Sequence, residues 1–204
     1  MNRPVEILLV EDNPGDVRLA QEVLFEGSVR KNIAVVSDGA EAIDYLRRRG
    51  RYNRTLRPDI VLLDLNLPKR DGLEVLREIK SDPVLRAITV IVLTTSQQAR
   101  DINSAYDLAA NCYIVKPIGL DEFYSVMRGI EEFWMSMAAL PTFDLDPMPS
   151  SLSEDGQTAG SKPDKTKGSA GAGSRAWRSR RSPRPRRSGW PCPIRGRVSR
   201  LDGH

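Results

Sequence analysis

Five side chains suited to phosphoryl chemistry each lie at the end of a short apolar run of the sequence. Glu11 and Asp12 follow one run, Asp64 follows a second, Thr94 closes a third and Lys116 follows a fourth. Carboxylates held close together repel one another unless a cation lies between them. Oxygen ligands with open positions suit Mg²⁺, which retains water and readily shares a phosphoryl oxygen. With a hydroxyl and an ammonium beside them for an incoming anion, these residues predict a site that accepts a phosphoryl group.

Taken singly, most of these residues have an ordinary explanation. Asp12 precedes Asn13 and Pro14 and could cap the start of a helix. Thr94 alone is typical of a strand end, and Lys116 alone is typical of a solvated lysine. Asp64 is harder to explain in this way, because a run of buried leucines leads directly into it. The specific signal is the combination at four different strand ends.

The segments that must position these side chains alternate between two patterns. Five short runs rich in Ile, Val and Leu lack polar alternation, as strands buried on both faces do. They are residues 7–10, 34–36, 60–63, 90–93 and 112–115. Between and after them lie five stretches with apolar residues at helical spacing, the last of which holds Phe123, Val126 and Ile130.

This alternation predicts the α/β class, with a doubly wound five-stranded parallel sheet and helices on both faces. In such sheets ligands bind beyond the carboxyl ends of the strands. The residues named above all fall at those ends.

Composition excludes several classes of protein. The only histidine is His204, the last residue, which argues against a Ser-His-Asp hydrolase or a histidine-rich metal site. Two cysteines permit neither a disulfide framework nor a four-ligand zinc site, which favours a reducing compartment. No apolar run approaches the length of a membrane span, about 18 residues, and the start of the chain lacks a secretory signal. We therefore expect a cytoplasmic protein without membrane contact.

The charge divides the chain into two parts. Residues 1–140 hold 18 Lys/Arg and 21 Asp/Glu, a net charge of −3, whereas residues 141–204 hold 13 and 6, a net charge of +7. The second part also contains 8 of the 14 prolines and 8 of the 15 glycines, and it has no periodic apolar residues. We predict a globular domain at 1–140 and a disordered tail at 141–204.

The tail itself has two compositions. Residues 141–174 are rich in Pro, Ser, Gly and Asp, as flexible linkers are. Residues 175–200 contain ten arginines and no acidic residue, with Trp177 and Trp190 among them. Such a segment could contact nucleic acid or an acidic membrane. A solvated extension, or an out-of-frame read-through with no folding pattern of its own, is the favoured interpretation, and nothing resembles a DNA-binding module.

The first part of the chain resembles the receiver domain of two-component response regulators over residues 4–138. The resemblance lies in Glu11-Asp12, Asp64, Thr94 and Lys116-Pro117, in that order and spacing. The stretches 11–19, 65–72 and 93–96, and Glu132-Phe133-Trp134 near the end of the domain, are similar to single-domain regulators that partner phytochrome histidine kinases. The resemblance implies a flavodoxin-like strand order of 2-1-3-4-5.

The resemblance also implies a role for each residue of the site. Asp64 is expected to take the phosphoryl group from a phosphohistidine, with Lys116 and Thr94 binding the new anion. The expected ligands of Mg²⁺ are Asp12, Asp64, the Asn66 carbonyl and, mostly through water, Glu11. Tyr113 is the expected aromatic residue of the switch. Asn66 and Ser96 are expected to tune the rate of hydrolysis. The Lys116–Pro117 peptide is expected to be cis.

The implied function is that of a response regulator, a phosphoacceptor and not an enzyme with its own substrate. Its expected partners are a sensor histidine kinase of the phytochrome type and a second copy bound through the face of the fourth helix, fifth strand and fifth helix. Two alternatives remain at this point. One is a DNA-binding transcription regulator that uses the arginine-rich tail. The other is a phosphatase with an aspartyl-phosphate intermediate, against which the lack of a substrate-cap insertion argues.

Overall fold

The computed structural model describes residues 3–141, in which strands and helices alternate. The strands are β1 (Val5–Val10), β2 (Lys31–Val36), β3 (Ile60–Leu63), β4 (Thr89–Thr94) and β5 (Cys112–Val115). The helices are α1 (Pro14–Glu26), α2 (Gly39–Leu46), α3 (Gly72–Ser81), α4 (Ala99–Asp107) and α5 (Leu120–Ile130). A 3₁₀ turn at Gly50–Tyr52 and a π-helical segment at Glu131–Met137 complete the described elements. The predicted tail lies outside the described residues from position 142 onward.

The strands form one parallel sheet in the order β2-β1-β3-β4-β5, which confirms the predicted fold and strand order. β1 lies between β2 and β3, with Leu9 paired to both Val35 and Leu62. All residues of β3 and β4 are buried, which explains why their sequences do not alternate.

Two apolar layers cover the sheet. α1 and α5 pack on one face, around Leu24, Leu62 and Met127. α2 and α3 pack on the other, around Leu63 and Leu76. Each fully buried side chain of this size stabilises the fold by about 1.5–3 kcal/mol, so the framework that carries the site is well supported.

Local sequence sets where the helices begin. Asn13 caps α1 through its side-chain oxygen, and Pro14 fits the first turn because it needs no N–H partner there. The suggestion that Asp12 caps this helix is therefore wrong, and Asp12 stays available at the site. Asp71 and Glu74 form a reciprocal capping box at α3, which fixes the end of the loop that carries Asp64.

The end of the domain differs from the regular helix that the apolar spacing suggested. After Ile130 the chain continues as the π-helical segment, where a buried ion pair joins Glu131 to Lys31 of β2. Trp134 packs partly against the core and its ring meets Phe133 edge-on at 5.0 Å. Met137 is 65% exposed. Phe133 and Trp134 are thus both partly buried.

Among residues 3–141, no helix is both long enough and apolar enough to cross a membrane.

Candidate functional site

The carboxyl ends of β1 and β3 bring two carboxylates to the amine of Lys116 at the end of β5, and α1 adds a third. The Lys116 Nζ donates to Glu11 Oε2 at 2.5 Å, to Asp64 Oδ2 at 2.6 Å and to Asp16 Oδ2 at 2.8 Å. Glu11 follows β1, Asp64 follows β3 and Lys116 follows β5, so three strands of the same parallel sheet deliver them to one edge. The convergence predicted from the sequence is present.

Burial makes these contacts strong. The side chains of Lys116, Glu11 and Asp64 are 5%, 4% and 6% exposed. Burial raises the pKa of Glu11 despite the opposing effect of Lys116. For Lys116, burial alone lowers the pKa, but the hydrogen bonds to Asp16, Asp64 and Glu11 outweigh it and raise the pKa above its ordinary value. The ammonium is therefore charged at every physiological pH.

Three carboxylates at this edge can converge on a metal ion. One oxygen each of Glu11, Asp12 and Asp64 lie within 4.8 Å of one another, and Asp12 is exposed whereas the other two are buried. All of these donors are hard oxygens, as Mg²⁺, Mn²⁺ and Ca²⁺ prefer. The donor set fits a divalent cation, which would offset the repulsion between carboxylates that Lys116 only partly relieves.

The loop after β3 holds Asp64 by backbone contacts. The Asn66 backbone N–H donates to Asp64 Oδ1 at 3.0 Å. Where the loop meets α3, Gly72 lies so close to Asp64 that a Cβ on it would be 2.2 Å from the Asp64 carbonyl oxygen. Lys69 adopts a left-handed backbone with φ 65° and forms an ion pair with Asp38 at 2.5 Å. The phosphoacceptor candidate thus sits on a tightly closed loop.

Hydroxyl and amide groups link this loop to the end of β4. Asn66 Nδ2 donates to the hydroxyls of Thr94 at 3.4 Å and Thr95 at 3.1 Å. The Ser96 backbone N–H donates to Thr94 Oγ1 at 3.4 Å, and the Tyr113 hydroxyl donates to the Ser96 carbonyl at 3.0 Å. A continuous chain of hydrogen bonds therefore runs from Asn66 to Tyr113.

Two expectations about this region are wrong. Lys116 is buried and held by three carboxylates, so the interpretation of it as a solvated lysine fails. The described residues contain no cis peptide, so the Lys116–Pro117 bond is trans. The trans form is the ordinary preference even before proline.

Asp16 is a member of the cluster that the sequence interpretation did not name. It lies in the first turn of α1, and its side chain reaches Lys116 from there. The signal was present in the sequence, since an acidic residue in the first turn of a helix that starts beside the site faces the same edge. Ser96 also has an unanticipated partner, because its hydroxyl donates to Asp101 Oδ2 at 2.6 Å.

Comparisons of the sequence and of the structure with known proteins agree on one family. Residues 7–128 match the family described as response regulator receiver domain. The chain is 45% identical to response regulator Rcp1 of Synechocystis over 140 residues, which are 69% of this chain and 95% of that protein.

Solved structures agree with this match. The phosphorylated cyanobacterial phytochrome response regulator RcpA is similar with a TM-score of 0.67 and 52% identity, over 69% of this chain and all of that one. The Mn²⁺-bound form of Rcp1 has a TM-score of 0.67 and 45% identity, over 68% of this chain and all of that one. A response regulator in red light signaling of R. palustris has a TM-score of 0.63 and 37% identity, over 68% of this chain and 99% of that one.

Proposed function

Because this chain belongs to the response regulator receiver domain family, we propose that Asp64 is the residue that accepts the phosphoryl group. Three properties of its carboxylate support this role. It lies at the carboxyl end of the central strand, it is buried, and its two oxygens are oriented separately by Lys116 Nζ and by the Asn66 backbone N–H. A carboxylate held in this way is positioned to attack an incoming phosphorus atom without reorganising.

We assign the divalent cation as Mg²⁺, held by Glu11, Asp12, Asp64 and the Asn66 carbonyl, with Glu11 acting mostly through water. The oxygen cluster of the three carboxylates supports this assignment, and a relative of this chain has been solved in a Mn²⁺-bound form. When bound, the cation supplies positive charge for the phosphoryl oxygens. The protein itself supplies the fixed positions of the donors.

Lys116 provides the second positive charge. Its ammonium already contacts Asp64, and the carboxylates of Glu11 and Asp16 hold it in place from the other sides. A phosphoryl group on Asp64 carries about 1.5 to 2 negative charges, by analogy with other phosphorylated side chains, in place of the single charge of the carboxylate. The buried ammonium then pairs with that new charge, which stabilises the product.

Thr94 and Tyr113 act as the switch in this proposal. In the present state, Thr94 Oγ1 accepts from Asn66 and from the Ser96 backbone. A phosphoryl group on Asp64 offers the proton of the Thr94 hydroxyl a strong acceptor, and a movement of the hydroxyl toward it takes Oγ1 away from those two donors. Because Tyr113 is bonded to the carbonyl of Ser96, a shift of Ser96 changes the position of Tyr113. Asn66 and Ser96 flank the same space and are assigned to tuning hydrolysis.

We propose a phytochrome-type sensor histidine kinase as the donor and the cytoplasm as the compartment. The relatives described as phytochrome or red-light response regulators support the assignment of the kinase.

A homodimer through α4, β5 and α5 remains part of the proposal, supported by the exposed Met137 beyond α5. We propose no catalysis beyond the transfer to Asp64 and its hydrolysis. No observation on residues 3–141 favours the DNA-binding alternative.

The test is covalent labelling with acetyl phosphate, followed by intact mass spectrometry. We expect the mass to rise by one phosphoryl group with Mg²⁺ and to stay unchanged in EDTA. Asp64→Asn should abolish the label, whereas Asp44→Asn, an exposed aspartate of α2, should label as wild type does. Label that persists in Asp64→Asn, or that forms equally in EDTA, would falsify the assignment.

A further inference from the structure

The start of α4 is tied to the site through one residue of the loop that follows β4. Ser96 has three polar groups, and each contacts a different part of the domain. Its backbone N–H donates to Thr94 Oγ1 at 3.4 Å, its carbonyl accepts from the Tyr113 hydroxyl at 3.0 Å, and its hydroxyl donates to Asp101 Oδ2 at 2.6 Å. Asp101 lies in the first turn of α4. A movement of Ser96 therefore affects its contacts with β4, β5 and α4 together.

The contact between Ser96 and Asp101 is a strong hydrogen bond. A hydroxyl that donates to an ionised carboxylate at 2.6 Å is typical of charge-assisted hydrogen bonds. The Asp101 side chain is 18% exposed, and the hydrogen bond from Ser96 holds the pKa of its carboxyl below the ordinary value. Arg100 also approaches this carboxylate, at 3.3 Å, but the Arg100 side chain is 81% exposed, so that pair contributes little. Ser96 is therefore the main contact of the Asp101 carboxylate.

Core packing holds α4 more weakly than it holds α3 and α5. Within α4 (Ala99–Asp107) Ala105 is the one buried residue, whereas α3 and α5 bury four residues each. Gln98, the residue that precedes α4, makes no side-chain capping bond. Elements with few buried apolar contacts change position at a small cost in free energy. A single charge-assisted hydrogen bond is therefore a large part of what fixes the start of α4.

The proposed phosphorylation acts on Ser96 through Thr94. A phosphoryl group on Asp64 draws the Thr94 hydroxyl toward it, and the Ser96 backbone N–H then loses its acceptor. An anionic phosphoryl oxygen is a stronger acceptor for this N–H than a hydroxyl is. A Ser96 backbone that turns toward the phosphoryl group carries its own hydroxyl away from Asp101. The hydrogen bond between Ser96 and Asp101 thus belongs to the arrangement without a phosphoryl group.

We propose that Asp101 is a positioning residue that holds Ser96, and with it the start of α4, in the arrangement without a phosphoryl group. This inference rests on the proposed function, because it concerns the regulation of the same site. A bond that stabilises one arrangement alone shifts the equilibrium toward the other arrangement when it is lost. Because linked equilibria are reciprocal, the same loss strengthens the binding of a phosphoryl mimic at Asp64. Asp101 thereby sets how readily α4 responds to the site.

The experiment is titration of the full chain in Mg²⁺ with beryllium fluoride, a mimic of a phosphoryl group on aspartate, followed by ¹⁹F NMR of the bound fluoride. Asp101→Ala should lower the midpoint concentration by at least about fivefold, the lower end of the range for coupled sites. Asp101→Asn keeps a neutral acceptor for the Ser96 hydroxyl and should lower the midpoint by a smaller factor. Arg100→Gln is the matched control, because it changes the exposed neighbour of Asp101, and it should alter the midpoint less than about twofold.

A double-mutant cycle with Ser96→Ala separates this role from helix capping. Ser96→Ala removes the same hydrogen bond from its other end, so adding Asp101→Ala to that variant should not lower the midpoint further. The Ser96 hydroxyl also accepts from the Gln98 backbone N–H, at 3.4 Å. If the bond only capped α4, Asp101→Ala would lower Tm and leave the midpoint unchanged. That result, or additive effects of the two substitutions on the midpoint, overturns the proposal.

The titration also distinguishes failure of this inference from failure of the proposed function. Asp64→Asn, which lacks the phosphoacceptor carboxylate, is the blank. A wild-type protein that binds no more beryllium fluoride than this blank refutes the proposed function and the inference with it. Saturable binding by wild type, with the same midpoint in Asp101→Ala, refutes the inference alone.

Discussion

Replacing Lys116 by methionine tests the charge balance of the site, because methionine fills similar space without the ammonium. The change leaves Glu11, Asp16 and Asp64 close together without their shared cation. Removing one partner of a buried ion pair costs about 3–5 kcal/mol. The lower end applies here, since Asp16 is partly exposed and Glu11 can take up a proton, its pKa being raised already by burial. Unfolding a domain of this size has an entropy near 0.3 kcal/mol/K, so a loss of about 3 kcal/mol lowers Tm by about 10 °C.

The assay is thermal unfolding of wild type and Lys116→Met, each with EDTA and with excess Mg²⁺. In EDTA the variant should melt about 10 °C lower. Mg²⁺ should narrow the gap, because a cation that binds only the folded state stabilises the protein with the more negative site to a greater extent. Lys69→Met is the matched control, since the Lys69 side chain is 67% exposed and its pair with Asp38 is worth about 1 kcal/mol or less. Equal melting shifts for the two variants, or a gap that Mg²⁺ leaves unchanged, would refute the reasoning.

Three further changes test separate parts of the structure. Burial lowers the pKa of Lys80 to about 8 from 10.5. Between these two pH values the unfolded chain binds more protons than the folded chain, so the free energy of unfolding rises with pH. In urea unfolding from pH 7 to 10.5, Lys80→Met should lose about 2–3 kcal/mol of that rise in the free energy of unfolding. Gly72→Ala places a Cβ 2.2 Å from the Asp64 carbonyl oxygen and should cost about 1–3 kcal/mol in the same assay. Tyr113→Phe removes the hydrogen bond to Ser96 and should cost about 1 kcal/mol while leaving acetyl phosphate labelling intact.

Each of these changes has a control or a contradicting result. Arg86→Met beside the Lys80 network should leave the pH profile between 8 and 10.5 unchanged, because arginine does not titrate there. Gly15→Ala meets only the end of the Asn13 side chain, at 3.1 Å, and should be tolerated better than Gly72→Ala. Labelling that fails in Tyr113→Phe would show that the tyrosine takes part in the transfer and not in the switch alone.

The fold was predictable because its strands are buried on both faces. The apolar runs before Glu11 and Asp64 do not alternate with polar residues, which requires helices on both faces of the sheet. Parallel strands then place their carboxyl ends at one edge of the sheet. The start of β2 was harder to predict from the sequence, because the strand begins at Lys31 and a charged residue is not typical of a buried strand. The π-helical segment after Ile130 was not predictable, because its conformation accompanies a tertiary contact, the ion pair between Glu131 and Lys31.

The members of the site were predictable by type, but their environment was not. Sequence places Lys116 at a strand end, and a lysine there is usually solvated. Only the folded structure shows that Asp16 from α1 closes over the cluster and buries the ammonium.

The balance of charge at the site explains why a buried lysine is compatible with the proposed acceptance of an anionic phosphoryl group. Three carboxylates, those of Glu11, Asp16 and Asp64, contact one ammonium, and Asp12 lies beside them, so the cluster by itself is strongly negative and repels phosphate. Neither Lys116 nor a divalent cation alone reverses that excess. Together they bring the cluster close to neutrality, and the ammonium can exchange its contact with Asp16, the longest and most exposed of the three, for a phosphoryl oxygen. In the proposed function, metal binding and phosphoryl acceptance are therefore coupled through the same carboxylates, and the burial of Lys116 keeps its charge where the transferred group would arrive.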